Sequence, residues 1–256
     1  MPHPDELATR LRKAGCVFAE EEADLIIATA DSDEEVDAMV ARRTAGVPLE
    51  HVLGWVEFCG HVFAVDPGVF VPRRRTELLV AQAVARCRPG AIVVDLCCGS
   101  GAVGASIAAA LPDVELHAAD IDPAAVACAR RNLAGIGQVH QGDLDEPLPR
   151  GLAGRVDVLV ANVPYVPTTE IPHMPTEARD HESRVALDGG PDGLDLLRRL
   201  MRVAPRWLTS GGYVLAEADV GQRDAALAAV TAAGLRAEHR LDPDQGTLVV
   251  IGRKQP

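Results

Sequence analysis

The chain has 256 residues, of which 48% are hydrophobic, 24% charged and only 3% aromatic. That is enough to bury one substantial core beside a smaller second domain; it excludes a disordered chain and leaves Ala and Val to fill the interior. A formal charge of −12 argues against tight non-specific binding to nucleic acid, which depends on Lys and Arg displacing counterions from phosphates.

Cys16, Cys59, Cys87, Cys97, Cys98 and Cys128 form no C-x-x-C pair, and the N-terminus lacks the basic start and apolar run of a signal peptide. Both features predict a reducing cytoplasm. No apolar stretch approaches the ~20 residues that span a bilayer, so no membrane association is expected.

Residues 1–50 read as a helical unit. Leu7, Leu11 and Ala14 share one helical face, and Ser32 with Glu35 forms a capping box opening a helix over Glu34 to Arg43. After Gly46-Val-Pro48, the β-branched and aromatic runs Val52 to Val56 and His61 to Val65 flank a short Phe58-Cys-Gly60 connection. This predicts a linking β-hairpin within 51–72.

From residue 73 to 256 the pattern is one of short apolar runs alternating with helical segments, as in a parallel sheet covered on both faces. Strands are expected over Ala91–Cys97, Val114–Asp120, Gln138–Gln141, Val156–Ala161 and Tyr213–Glu217. Helices are expected over Ala102–Leu111, Pro123–Leu133, Leu194–Ala204 and Arg223–Ala233. Arg236–Leu241 and Thr247–Ile251, joined by Asp-Pro-Asp-Gln-Gly, read as an antiparallel hairpin. The sum is an α/β fold with a seven-stranded Rossmann-like sheet.

Asp95-Leu-Cys-Cys-Gly99-Ser-Gly101-Ala-Val-Gly104 falls where the first strand turns into its helix. Gly99 and Gly101 let the backbone approach a ligand there. Asp120 closes the next strand about 20 residues on, where an acid accepts both hydroxyls of a ribose. Asp143, after the third strand, is placed to meet an adenine amine.

Cys97, Ile121 and Leu144, beside these acids in the chain, and Asn162 complete the expected cofactor pocket. The turn lacks a Walker Lys-Ser/Thr, and its acids suit a cationic sulfonium and ammonium better than a pyrophosphate. The pocket thus suits a nucleoside with an amino-acid tail. Cys97 and Cys98 are adjacent, a poor spacing for tetrahedral zinc, and read as small residues lining the turn; no metal is expected.

Asn162-Val163-Pro164-Tyr165 follows the fourth strand, at the sheet edge where open α/β folds hold their substrates. An amide nitrogen is a poor nucleophile because its lone pair is delocalised into the carbonyl, so its N–H groups must be held by acceptors. Asn162 Oδ1 supplies one. The Val163 carbonyl supplies another, since a residue before proline is biased toward extended geometry. Tyr165 packs on the planar acceptor group. No general base is needed beforehand, because the proton becomes acidic once the nitrogen is alkylated; proximity and alignment do the rest.

At these residues the chain resembles the release-factor glutamine N5-methyltransferases, whose motif is Asn-Pro-Pro-Tyr. The resemblance also runs through Arg43-Thr-Ala-Gly-Val-Pro48, Gly54-Trp-Val-Glu-Phe58, Val71-Pro-Arg73, Thr76-Glu77, Ala186-Leu-Asp-Gly-Gly-Pro-Asp-Gly193, and Glu217 with Gln222. It implies a class I methyltransferase sheet, a helical domain that docks the substrate, S-adenosylmethionine as methyl donor with S-adenosylhomocysteine as product, and a glutamine of a release factor or ribosomal protein as acceptor.

Three departures mark a divergent paralogue. Val163 replaces a proline, Arg74 and Arg75 replace Pro-Glu, and His181-Glu182-Ser183 stands where Tyr-Glu-Pro is usual. Arg73, Arg74 and Arg75 read either as a salt-bridged turn or as a contact to an acidic substrate. The alternative acceptors are an adenine amine in nucleic acid, against which the negative charge counts, and a small-molecule amide or amine.

Overall fold

A computed structural model describes residues 3–256. Four helices come first: α1 (Pro4–Lys13), α2 (Ala19–Thr29), α3 (Asp33–Thr44) and α4 (Leu49–Leu53). They enclose their own core, to which Leu7, Leu11, Ile26, Val36, Val40 and Val52 contribute. Ala14 does not share the buried face expected of it. It caps the C-terminus of α1 and is exposed, because the chain leaves the helix at Gly15 with φ 98°.

Ser32 caps α3 by accepting the Glu35 N–H at 3.1 Å, but the return arm of the box is displaced by one residue. Glu35 Oε2 accepts from the Asp31 N–H at 2.8 Å.

The hairpin pairs β1 (Trp55–Phe58) with β2 (His61–Ala64). Cys59 and Gly60 turn it, with φ of 50° and 74°, the left-handed pair that matches the twist of two-residue hairpins. Val52, expected in the first strand, belongs instead to α4. Pro48 opens that short helix and Gly54, at φ 80°, ends it. Asn132 then fastens the hairpin to the main body like a strand edge: Oδ1 accepts the Ala64 N–H at 2.9 Å and Nδ2 donates to the Ala64 carbonyl at 2.8 Å.

The main body is an α/β fold around one seven-stranded sheet. Its strands are β3 (Ile92–Leu96), β4 (Glu115–Asp120), β5 (Gly137–Gln141), β6 (Val156–Ala161), β7 (Leu208–Asp219), β8 (Arg236–Asp242) and β9 (Thr247–Arg253), in the spatial order β5-β4-β3-β6-β7-β9-β8. The first five are parallel, and β9 runs antiparallel between β7 and β8.

Residue alternation along the strands divides the interior into two cores. Val93 faces the core shared with α5 (Glu77–Val84), α6 (Ala102–Ala110) and α7 (Pro123–Asn132). Val94 and Leu96 face that shared with α9 (Asp195–Trp207) and α10 (Arg223–Ala232). The short helix α8 (Thr176–His181) lies in the loop between β6 and α9.

Two boundaries differ materially from the sequence pattern. β7 runs well beyond Tyr213–Glu217, because β9 pairs with it from Tyr213 to Asp219 while its start pairs with Val156 across an irregular register. α9 passes through Pro205 to Trp207; proline there removes one bond of the last turn only, and Lys254 Nζ caps the Pro205 and Leu208 carbonyls at 2.8 Å each. Among the described residues no helix is long and apolar enough to cross a membrane.

Arg43 joins the helical unit to the main body. Its Nε and Nη2 grip both oxygens of Glu22 at 2.6 and 3.0 Å, and Nη1 reaches Glu177 Oε1 of α8 at 2.5 Å. The Arg43 side chain is 9% exposed and that of Glu22 10%, so Arg43→Met strands a buried carboxylate. A loss of about 3–5 kcal/mol is expected in urea unfolding. Glu177→Gln, at a half-exposed carboxylate, should cost no more than about 1 kcal/mol. Equal losses in the two variants would contradict this assignment.

Candidate active site

In the sheet, β3 pairs with β4 on one side and β6 on the other, so the strand order reverses at β3 and a crevice opens beyond the strands' C-terminal ends. A cavity of about 720 Å³ occupies it. Asp95, Cys97, Gly99, Asp120, Ile121, Asp143, Asn162, Val163, Pro164 and Tyr165 all line it. Gly101 and Leu144, expected in the same set, sit behind this lining.

Gly101, at φ 80°, presses against α7: an added Cβ would meet Leu133 and Ala129 at 3.1 to 3.3 Å. Leu144, with φ 52°, is buried in the core on the α9 side. Gly99 has the opposite character, since the place of its missing Cβ has no protein atom within 4 Å, leaving room for a ligand against the backbone.

Two of the acids lining the cavity, Asp95 and Asp120, are held by main-chain donors. Asp95 is 1% exposed, and its Oδ2 accepts the Gly104 N–H at 2.9 Å. Burial pushes its pKa up to about 7; Asp120 adds to this and the Gly104 N–H opposes it. Asp120 takes the Gly99 N–H on Oδ2 and the Asp122 N–H on Oδ1, both at 2.9 Å, leaving further lone pairs on each oxygen. Burial raises its pKa also.

Asp143 Oδ2 accepts from Arg199 Nη2 of α9 at 2.8 Å, a partner about one turn into a helix far along the chain. Burial drives the thiols of Cys97 and Cys98 upward, away from thiolate reactivity. Thr76 Oγ1 and Ser100 Oγ, both on the cavity wall, are buried hydroxyls without a hydrogen-bond partner.

At the other end stands the Asn162–Tyr165 segment. The Val163 side chain is buried in the core below. The Asn162 side chain has no hydrogen bond to any described residue. Tyr165 is held at both ends. Its hydroxyl donates to Glu217 Oε1 at 2.9 Å and its carbonyl accepts from Gln222 Nε2 at 2.9 Å. Gly193 permits the second contact, because a Cβ there would collide with the Tyr165 carbonyl and Gln222.

Arg75 stacks over the Tyr165 ring at 5.9 Å and sends Nε to the same Glu217 oxygen at 3.3 Å. The Arg75 reading as a salt bridge therefore holds, with a buried partner 142 residues away. Arg73 forms its own pair, donating from Nη2 to Glu182 Oε1 at 2.5 Å. Sequence reasoning gave no role to Thr76, Ser100, Glu182 or Arg199. Ser100 lies inside the glycine turn and Glu182 inside His181-Glu182-Ser183, but nothing local in the sequence signals that they line the cavity with unpartnered polar atoms.

A family model described as "Methyltransferase small domain" matches residues 61–180. The release factor glutamine methyltransferase of Streptomyces coelicolor is 42% identical over 193 residues, covering 73% of this chain and 68% of that protein. The chain belongs to the release factor glutamine methyltransferase family. Family membership makes it a methyltransferase.

The Geobacter sulfurreducens relative of the same name is 39% identical over 74% of this chain, which spans 66% of that protein's length. A 4-amino-L-phenylalanine/4-methylamino-L-phenylalanine methyltransferase of Streptomyces pristinaespiralis is 38% identical over 70% of this chain and 63% of its own length. Among solved structures, a methyltransferase from Pyrococcus furiosus superposes with a TM-score of 0.58 at 16% identity, covering 76% of this chain and 89% of that one. That likeness shows the shared class I methyltransferase fold.

The environment of Asp95 makes stability pH-dependent. The unfolded carboxyl ionises near its ordinary 3.8 and the folded one near 7, so between these values the folded state holds the extra proton. Its stability through this group is therefore full below about pH 4 and falls as pH rises to 7, by up to about 1.4 kcal/mol per pH unit. Asp95→Asn should be relatively more stable above pH 7 in denaturant titrations, with the advantage vanishing below pH 4. A constant difference across that range would refute the assignment.

Proposed function

We propose that this protein transfers a methyl group from S-adenosylmethionine to the side-chain nitrogen of a glutamine in a protein, with a peptide chain release factor as the foremost acceptor. The observation that carries the reading is the unengaged side chain of Asn162, beside the doubly anchored Tyr165, in the crevice between β3 and β6.

The residues present suit the donor molecule. Asp120 retains lone pairs for ribose hydroxyls, Asp143 for an adenine amine, and Asp95 offers a carboxylate to an ammonium. The orphaned hydroxyls of Thr76 and Ser100 are donors of the kind an amino-acid carboxylate requires. Gly99 leaves its Cβ space open. When bound, S-adenosylmethionine supplies a methyl group activated by a sulfonium.

This chain's own residues orient the acceptor. Asn162 Oδ1 and the Val163 carbonyl accept the two N–H bonds of the amide, and the Tyr165 ring packs on its plane. Holding both hydrogens turns the nitrogen lone pair toward the donor; the displaced proton then leaves to water. Catalysis is alignment and solvent exclusion.

The helical unit of residues 1–50 docks the acceptor protein, the hairpin of 51–72 links it, and residues 73–256 carry the chemistry. Six free thiols support a reducing, cytoplasmic setting. A second reading, methylation of a small aromatic amine, is favoured by the likeness to the Streptomyces pristinaespiralis enzyme.

Calorimetric titration with S-adenosylhomocysteine should show micromolar binding that collapses in Asp120→Ala. With tritiated S-adenosylmethionine, a purified release factor should become labelled at one glutamine. Asn162→Ala should lower kcat by about 100-fold or more while leaving S-adenosylhomocysteine affinity within about twofold. Absence of binding would remove the donor assignment. Labelling of 4-aminophenylalanine in place of protein would establish the second reading.

A further inference from the structure

Glu182 follows α8 on the wall of the cavity, and its side chain is 0% exposed. Its two oxygens have different fates. Oε1 accepts the Val71 N–H at 3.1 Å and Arg73 Nη2 at 2.5 Å, while Oε2 has no donor at all. A buried carboxylate oxygen without a partner costs free energy, so its persistence calls for a ligand that completes it.

The arginine complements it. Arg73 also lines the cavity, rests 5.1 Å over the Phe70 ring, and keeps Nε and Nη1 free of described hydrogen-bond partners; its side chain is 30% exposed. The pair thus sets a buried acceptor oxygen without a donor beside a partly exposed guanidinium with unused N–H groups. The wall is fixed by main-chain bonding, since the Ser183 N–H donates to the Gly68 carbonyl at 3.0 Å and Gly68 bridges Glu182.

We infer that Glu182 Oε2 and Arg73 form a main-chain reading site, binding the N–H and C=O of one extended residue of the polypeptide acceptor near the glutamine that is methylated. In an extended strand the N–H and C=O of a single residue point to the same side, so a neighbouring acceptor–donor pair engages both. The inference rests on the protein-glutamine reading above. It makes Glu182 a specificity residue that recognises peptide backbone and takes no part in the methyl transfer itself.

The test uses the full-length enzyme, a purified bacterial release factor, and peptides cut from that factor around its methylated glutamine. In Glu182→Gln the amide oxygen replaces Oε1 toward Val71 and Arg73, and the NH2 group then faces the incoming N–H, donor against donor. The KM for release factor should rise at least tenfold, with kcat within threefold and S-adenosylhomocysteine affinity unchanged.

N-methylation of the peptide amides in turn should reveal one position that weakens the wild type about tenfold and leaves Glu182→Gln indifferent. That scan on the wild type gives an answer even where the variant folds poorly. An unchanged KM, or a scan in which no amide is coupled to Glu182, overturns the inference. Equal damage to turnover of free 4-aminophenylalanine overturns it too, assigning the pair to the ammonium and carboxylate of a free amino acid. A wild type that labels no glutamine removes the premise itself, and that failure appears in the wild-type rate before any variant is compared.

Discussion

The parallel pairing of β3 with β6, Val93 to Leu96 against Val158 to Ala161, is the contact on which the site depends. β3 is the centre from which the sheet grows in both directions, and the helices that follow β3 and β6 therefore leave toward opposite faces. The gap between them is the cavity. Because the two strands end in register, the turn after Leu96 and the Asn162 segment after Ala161 face one another across that gap. A donor site and an acceptor site are thus brought together by the hydrogen-bond ladder of the most buried strands, which are the least deformable part of the molecule.

Around this centre polar groups are satisfied in an uneven way. Asp95 and Asp120 are held by main-chain N–H groups, and Tyr165 is pinned at hydroxyl and carbonyl alike. The exceptions among the described residues are few: Thr76 Oγ1, Ser100 Oγ, Glu182 Oε2 and Glu217 Oε2. Three of the four belong to residues on the cavity wall. Unspent hydrogen-bonding capacity is thereby concentrated where ligands would enter, and the surrounding ladder carries the cost of leaving it unspent.

Much of this was legible in the sequence because its signals are local. Apolar runs of five or six residues, a glycine turn after the first, and acids at strand ends place the sheet and the donor side. The Asn-Val-Pro-Tyr segment is equally compact. What stayed hidden is non-local. Arg75 meets Glu217, Arg199 meets Asp143 and Asn132 meets Ala64 across 142, 56 and 68 positions, and periodicity says nothing about which distant side chains converge. Local conflicts explain the rest: Val52 looks like strand material, yet Pro48 and Gly54 frame a helical turn around it, and Ala14 continues an apolar stripe past the point where Gly15 ends the helix.

Arg43 has a consequence for how such proteins can be recombined. One guanidinium is shared by Glu22 in the helical unit and Glu177 in the loop that leads to Glu182, so the two segments form a single electrostatic lineage despite their separation in the chain. Exchanging residues 1–50 with those of a relative transplants two members of a three-member charge set, Glu22 and Arg43, and leaves Glu177 behind. Chimeras in this family should therefore be cut so that the helical unit travels with Thr176–His181, and substitutions at the two places should be inherited together.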